Sequence, residues 1–357
     1  MIKKECFTAE WIEQVSSELH YNDKNLIEKV IRALSLLEML VKAGCPLVFK
    51  GGTALMLILG KSAHRLSIDI DLICPPGTNI EDYLKSFADF GFINLELVER
   101  KQRDDADIPK SHSKFFYQIA YRNDTDAQSY ILLDVLYEDI HYFRTQQIAI
   151  NCPFIRLEGK PLMVTVPSAE DILGDKLTAV APNTTGIPYY KNGRSCSMEI
   201  AKQLYDVGRL FENVSDLQIT KEAFRKIAVV ELSYRSFGTD IGQVFNDIRQ
   251  TALCISTRGK AGEGDFDLIQ DGIIRVKSFM YKQRYLIDHA IIDAARAAYL
   301  ATLIEKGINE IESYSNNPAD IKDMVIRPSL PNKLNKLRSN LPEAYYYWAK
   351  TSELLEA

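Results

Sequence analysis

Between residues 25 and 41, apolar side chains recur at Leu26, Ile27, Val30, Ile31, Leu34, Leu37, Leu40 and Val41. That spacing puts them on one face of a helix, which Gly44 and Pro46 bring to an end. The period then changes. Residues 47–49 make a short apolar strand, Lys50-Gly51-Gly52 interrupts, and the stretch from Ala54 to Leu59 predicts a second helix. From Ser67 to Leu72 polar and apolar positions alternate strictly, the mark of a half-buried strand. Ser67, Asp69 and Asp71 share one side of it, and Ile68, Ile70 and Leu72 the other. A helix over 80–90 stopped by Gly91 follows, with strands over 93–98, 115–121 and 130–137, and a hairpin over 154–166 turning at Glu158-Gly159-Lys160.

The polar stretch 100–114, with Lys101, Arg103, Lys110, His112 and Lys114, reads as a loop; its functional reading is a contact to a nucleic-acid backbone. Ser168, with Asp171 three residues on, caps a helix running to Ala179. After a polar segment over 182–197, a helix over 198–211 buries Ile200, Leu204, Val207, Leu210 and Phe211. Beyond Glu212 helices and connectors take over, with helices over 221–237, 239–255, 268–301 and 342–356. This change of character divides the chain into residues 1–212, an α/β part, and residues 213–357, a helical part. Lys333, Lys336 and Arg338, with the aromatic run Tyr345-Tyr346-Tyr347-Trp348, read as a solvated face and a core face, or as an RNA-binding surface.

At 357 residues and 46% hydrophobic, the chain can bury two cores. Its net charge of −5 gives no global basic footprint, so a nucleic-acid partner requires a local patch. No apolar run has the length of a membrane span, and the start Met1-Ile2-Lys3-Lys4-Glu5 lacks the apolar core of a signal peptide, so a cytoplasmic protein without membrane contact is expected. The six cysteines show no Cys-x-x-Cys spacing and read as reduced structural thiols. The five histidines make no zinc pair at i and i+4.

Two acids one residue apart on a strand repel each other and are poor strand formers unless a cation sits between them. Asp69 and Asp71 therefore point to a divalent metal, and carboxylates suit Mg²⁺ or Mn²⁺. Gly51, Gly52 and Thr53, at a strand-to-helix junction, let backbone N–H groups approach a phosphate at the positive end of the helix. Asp134 is the only charge in the strand 130–137, and a lone acid there demands a partner or a cation. It is the third candidate metal ligand.

The run Gly51-Gly52-Thr53-Ala54-Leu55 with Arg65-x-Ser67-x-Asp69-x-Asp71-Leu72 resembles the signature of the nucleotidyltransferase superfamily, and within it the AbiEii-like toxins of type IV toxin–antitoxin systems, to which the MenT proteins belong. The resemblance covers roughly residues 47–211 and implies a nucleotidyltransferase core with a mixed sheet flanked by helices. It also implies transfer of a nucleotide from an NTP with two Mg²⁺ or Mn²⁺ ions held by Asp69, Asp71 and Asp134. By the same resemblance Arg65, Ser67, Lys176 and Lys202 join the nucleotide site, and Lys176 and Asp206 the catalytic set. The implied acceptor is the 3′ end of tRNA, and the implied partner a cognate antitoxin. Around Asp206, Gln203-Leu204-Tyr205 is sparser in charge than the family pattern. Two other readings stand beside this one: a nucleotide-binding module without turnover, favoured if Asp134 lies away from Asp69 and Asp71, and transfer to a small molecule such as an aminoglycoside.

Overall fold

The computed structural model describes residues 1–97, 110–121, 127–214, 216–235, 238 and 240–357. Its contacts divide the chain into two units, residues 1–168 with 278–284, and residues 169–277 with 285–357.

In the first unit α1 (Ala9–Glu18) and α2 (Lys24–Lys42) precede β1 (Val48–Lys50), α3 (Gly51–Leu59) and β2 (Ile70–Cys74). Strands β3 (Asn94–Leu97), β4 (Lys110–Gln118) and β5 (Gln128–Tyr137) complete a five-stranded sheet ordered β1-β2-β5-β4-β3. Strands β2 and β5 are parallel and the other neighbours antiparallel, which is the mixed sheet the sequence predicts. Ile70, Leu72, Leu133 and Val135 alternate onto one face and are buried with α2 in a single core. On α2, Ile27, Val30, Ile31, Leu34 and Leu37 are fully buried, each stabilising the fold by about 1.5–3 kcal/mol.

Polar residues of α2 are buried as well, and three of them hold other segments of the chain. Glu28 accepts the amide N–H of Ala120 and pairs with Arg32, while Arg32 donates to the carbonyl of Gly91 at 3.0 Å. Glu38 accepts the amide of Ile2 at 2.9 Å. The helix thereby pins three chain segments as well as covering the sheet.

Several elements differ from the sequence reading, each for a local reason. Residues 80–90 form two single 3₁₀ turns, Ile80–Tyr83 and Phe87–Phe90, which deliver Ile80, Leu84 and Phe90 to the core. Strand β4 begins at Lys110, five residues early, inside the stretch read as a loop; its first half is polar because Lys110, His112 and Lys114 face away from the buried side. Lys101 and Arg103 of that stretch lie outside the described residues. The hairpin is built from β6 (Thr145–Ala149) and β7 (Met163–Pro167), with the Gly159 turn inside the connection between them. Thr145-Gln146-Gln147 is too polar to announce a strand.

The second unit holds α4 (Ala169–Ala179), the small hairpin β8 (Tyr190–Lys191) and β9 (Arg194–Ser195), α5 (Ser197–Phe211), α6 (Leu217–Ser233) and α7 (Ile241–Ser256). It continues with α8 (Phe266–Val276), α9 (Ile287–Lys306), α10 (Leu337–Asn340) and α11 (Pro342–Glu356). Helices α4 and α5, N-terminal to the expected boundary at 212, belong to this helical unit. Alanines at 290, 294, 295, 297, 298 and 301 let α9 run through its centre against α5, α7 and α11. Tyr345, Tyr347 and Trp348 are core residues there and offer no stacking surface. Asp293 on α9 is fully buried between Arg209 and Arg296, each 3.3 Å away, and loss of solvation pushes its carboxyl up to about 6 in spite of both guanidinium groups.

The helix expected over 268–301 is broken between α8 and α9. Ser278–Arg284 joins the first unit. There the Leu66 amide donates to the Phe279 carbonyl at 2.8 Å, the Tyr281 amide donates to the His64 carbonyl at 3.0 Å, and the Tyr281 hydroxyl donates to the Ala63 carbonyl. The Tyr281 ring meets Phe154 edge-on at 5.3 Å. Among the described residues no helix is long and apolar enough to cross a membrane.

Candidate active site

Residues paired across neighbouring strands point to the same face of a sheet. Strand β2 pairs Asp71 with Lys50 on one side and with Asp134 on the other, and β4 pairs His112 with Asp134. Lys50, Asp71, Asp134 and His112 therefore form one row across four strands, on the face opposite Ile70, Leu72, Leu133 and Val135. All four are half-buried, and Asp71 and Asp134 each stand between two core residues in sequence. The row alternates in charge only at its ends, leaving two carboxylates adjacent at its centre, one strand spacing of about 4.8 Å apart in backbone.

Asp134 does not lie away from the acid pair, as a module without turnover would have it; it stands next to Asp71 in register. Its Oδ1 is 2.5 Å from Nδ1 of His112. That bond fixes one carboxylate oxygen and leaves the other for a ligand. Asp69 sits one residue before β2, where the Thr53 hydroxyl donates to its backbone carbonyl at 2.7 Å. Thr53 thus holds the acid segment against the start of α3.

Both glycines are dictated by close approach. Gly51 has φ +80°, and a Cβ there would lie 2.1 Å from Oδ2 of Asp71. At Gly52 a Cβ would meet Oγ of Ser67 at 2.7 Å and Nη2 of Arg65 at 2.9 Å. The glycine pair makes room for the site's own side chains, so the α3 N-terminus, Asp71, Ser67 and Arg65 converge on one spot. Arg65 is buried, donates to the Leu66 carbonyl at 3.0 Å and bridges to Met280 through its backbone.

The donor set fits a hard divalent cation. Mg²⁺ takes one or two protein carboxylates and completes its octahedron with water and phosphate oxygen. Two in-register carboxylates with room left on the open face supply that number. Among the described residues no three His, Cys, Asp or Glu side chains converge into a preformed metal cage; the candidate ligands Asp71 and Asp134 stand in register, and Asp69 one residue before β2.

In the second unit, the sequence-predicted Lys176 and Asp206 come together. Nζ of Lys176 on α4 is 2.7 Å from Oδ2 of Asp206 on α5 and donates to Oε1 of Gln203 at 3.0 Å. Their side chains are only 7% and 2% exposed, so neither is the surface residue that helix position alone suggests. Lys202, four residues before Asp206, is half-buried.

Two members of the row were not singled out by the sequence reading. Lys50 stood beside the glycine pair, and His112 in a stretch read as loop. Neither carries a local signal, because what makes them neighbours of the acids is strand register.

A family model described as nucleotidyl transferase AbiEii toxin, type IV toxin–antitoxin system, matches residues 34–319. No curated protein matches the chain in sequence. Among solved structures, MenT4, a nucleotidyltransferase toxin from Mycobacterium tuberculosis H37Rv, is 13% identical, with 82% of this chain and 89% of that one covered at a TM-score of 0.42. JHP933 from Helicobacter pylori is 16% identical, with 86% and 95% covered at 0.38. A nucleotidyltransferase from the same organism, so described provisionally, is also 16% identical, with 80% and 94% covered at 0.38. Likenesses this distant add nothing to the family match.

Proposed function

The chain belongs to the AbiEii nucleotidyltransferase toxin family, and from that premise we propose that it transfers a nucleotide from an NTP to an acceptor hydroxyl at the 3′ end of tRNA. A cognate antitoxin holds it in check, and it works in the cytoplasm. The observation that carries the reading is the in-register pair Asp71 and Asp134, flanked by Lys50 and His112 in one row across four strands.

Asp69, Asp71 and Asp134 are the residues that would hold Mg²⁺ or Mn²⁺, two ions on this reading. Bound there, such ions neutralise the triphosphate and lower the pKa of an attacking hydroxyl. The residues of the chain do the rest. Gly51 and Gly52 present backbone N–H groups at the start of α3 to phosphate oxygens. Thr53 acts by fixing Asp69, since its hydroxyl is engaged with that residue's carbonyl. His112 aims the Asp134 carboxylate, and Arg65 and Ser67 line the spot that Gly52 leaves open. Lys176 carries the positive charge assigned to the triphosphate, with Asp206 holding its ammonium in place and Lys202 near it in sequence. The acceptor oxygen then attacks the α-phosphorus in line and pyrophosphate leaves.

The test is transfer of label from each α-labelled NTP onto total tRNA in Mg²⁺, comparing the unaltered protein with Asp69→Ala and Asp71→Ala. Label on tRNA that both substitutions abolish is the expected result. Label that survives Asp71→Ala would sink the assignment of the row.

A further inference from the structure

A cavity of about 510 Å³ in the second unit brings together Arg258, Lys260, Lys333 and Lys336 from two connectors far apart in sequence. Nothing in the mechanism above uses it. Its one acid, Asp288, is already taken by Arg258 at 3.1 Å. Among the described residues no carboxylate stands within ion-pair distance of Lys260, Lys333 or Lys336, yet the Lys333 ammonium is brought onto the backbone carbonyl of Lys260. Three uncompensated ammonium groups around one concavity repel one another, just as the paired aspartates do with the opposite sign. In a chain of net charge −5 such a concentration is local and specific.

Two further observations bear on what would sit there. Arg258 is held at φ +53°, a left-handed backbone that a non-glycine residue adopts only under constraint, and it is followed by Gly259 at +75°. The turn follows the C-terminal end of α7, whose Ser256 and Thr257 also line the cavity. Ile291, Leu337 and Leu341 contribute apolar lining to the same cavity. Cations and hydrocarbon in one lining match a ligand with a phosphate at one end and a flat, weakly polar body at the other.

We propose that this cavity is a binding site for a phosphate-bearing nucleotide unit, either a free nucleotide or one nucleotide of an RNA strand, distinct from the acid row of the first unit. The site goes beyond the transfer reaction and does not depend on it.

The experiment is calorimetric titration in EDTA, so that no divalent ion bridges phosphate to the acid row. The probes are inorganic phosphate, AMP and a short single-stranded oligoribonucleotide. The unaltered protein is compared with Lys336→Glu, with Lys333→Glu/Lys336→Glu and with Lys306→Glu, an exposed lysine outside the cavity. The single variant keeps the Lys333 contact to Lys260 and guards against a folding defect. Binding should weaken roughly tenfold or more in both cavity variants, the loss expected for charge-assisted hydrogen bonds, and hold in Lys306→Glu. Binding of AMP identifies a free nucleotide as the source. Binding of the oligoribonucleotide alone, weakening with salt, identifies a strand. The proposal is overturned if no probe binds, if the cavity variants bind as the unaltered protein does, or if Lys306→Glu weakens binding equally.

Discussion

Replacing Gly51 by alanine separates two effects that usually travel together. At φ +80° an alanine is disfavoured by about 1–2 kcal/mol wherever it sits. At this position its Cβ would also lie 2.1 Å from Oδ2 of Asp71, well inside contact distance, so the half-buried carboxylate must swing away by roughly 1 Å. Gly77 supplies the control: φ is +83° and nothing lies within 4 Å of its added Cβ. Gly77→Ala and Gly51→Ala should therefore lose similar stability in urea unfolding, about 1–2 kcal/mol each. Only Gly51→Ala should lose nucleotidyl transfer, by about 100-fold, the penalty of misplacing a reacting group by that distance. Mn²⁺ affinity, read by calorimetry, should fall with it. Equal activity in the two variants would refute the idea that Gly51 exists to seat Asp71.

Three other outcomes are expected. His112→Ala removes the bond that aims Asp134 and should weaken Mn²⁺ binding by about 10–100-fold, the range for lost partners of metal ligands; an unchanged affinity would mean that the carboxylate is aimed by something else. Lys176→Met removes the ammonium 2.7 Å from a buried carboxylate and should destabilise by about 3–5 kcal/mol, whereas Lys176→Met/Asp206→Leu should recover most of that loss. Additive losses in urea titration would contradict the pairing. Asp293, raised by burial to about 6 from an ordinary 3.8, keeps its proton in the folded state over a pH range where the unfolded chain has released it. Its contribution is thus full below about pH 4 and lost as pH rises through about 6, up to about 3 kcal/mol. Asp293→Asn should flatten that segment of the stability profile, and an identical slope in both proteins would exclude Asp293 as its source.

How much of this was legible depends on the range of the interactions. The face of α2 and the alternation over residues 67–72 are periodicities within a few residues; the helix appears where the spacing puts it, while the strand begins at Ile70, three residues later than the alternation, and runs on to Cys74. Asp71 and Asp134 drew attention in the sequence because a charge among apolar neighbours needs a reason, and the structure puts these two in register. Register is another matter. That Asp71 meets Asp134 and Lys50, and that His112 closes the row, follows from parallel and antiparallel pairings across dozens of residues, which no local pattern encodes. Lys176 looked like any helix lysine until Asp206 arrived from another helix. The break between α8 and α9 was hidden for the opposite reason: Phe279, Met280 and Tyr281 continue an apolar rhythm, and only their hydrogen bonds to residues 63–66 take them out of the helix.

The excursion of Ser278–Arg284 also sets an order of events during synthesis. The first unit is not finished when its strands have left the ribosome at Ser168; its last piece emerges roughly 110 residues later, a delay of roughly 5–20 s at ordinary translation rates. Until then the carbonyls of Ala63 and His64 and the amide of Leu66 await partners that do not yet exist. A nascent chain cut short inside α8 would carry the whole acid row on an unclosed scaffold. For a protein of a toxin family, a fold that completes itself only after most of the helical unit has been translated ties potency to synthesis past Arg284.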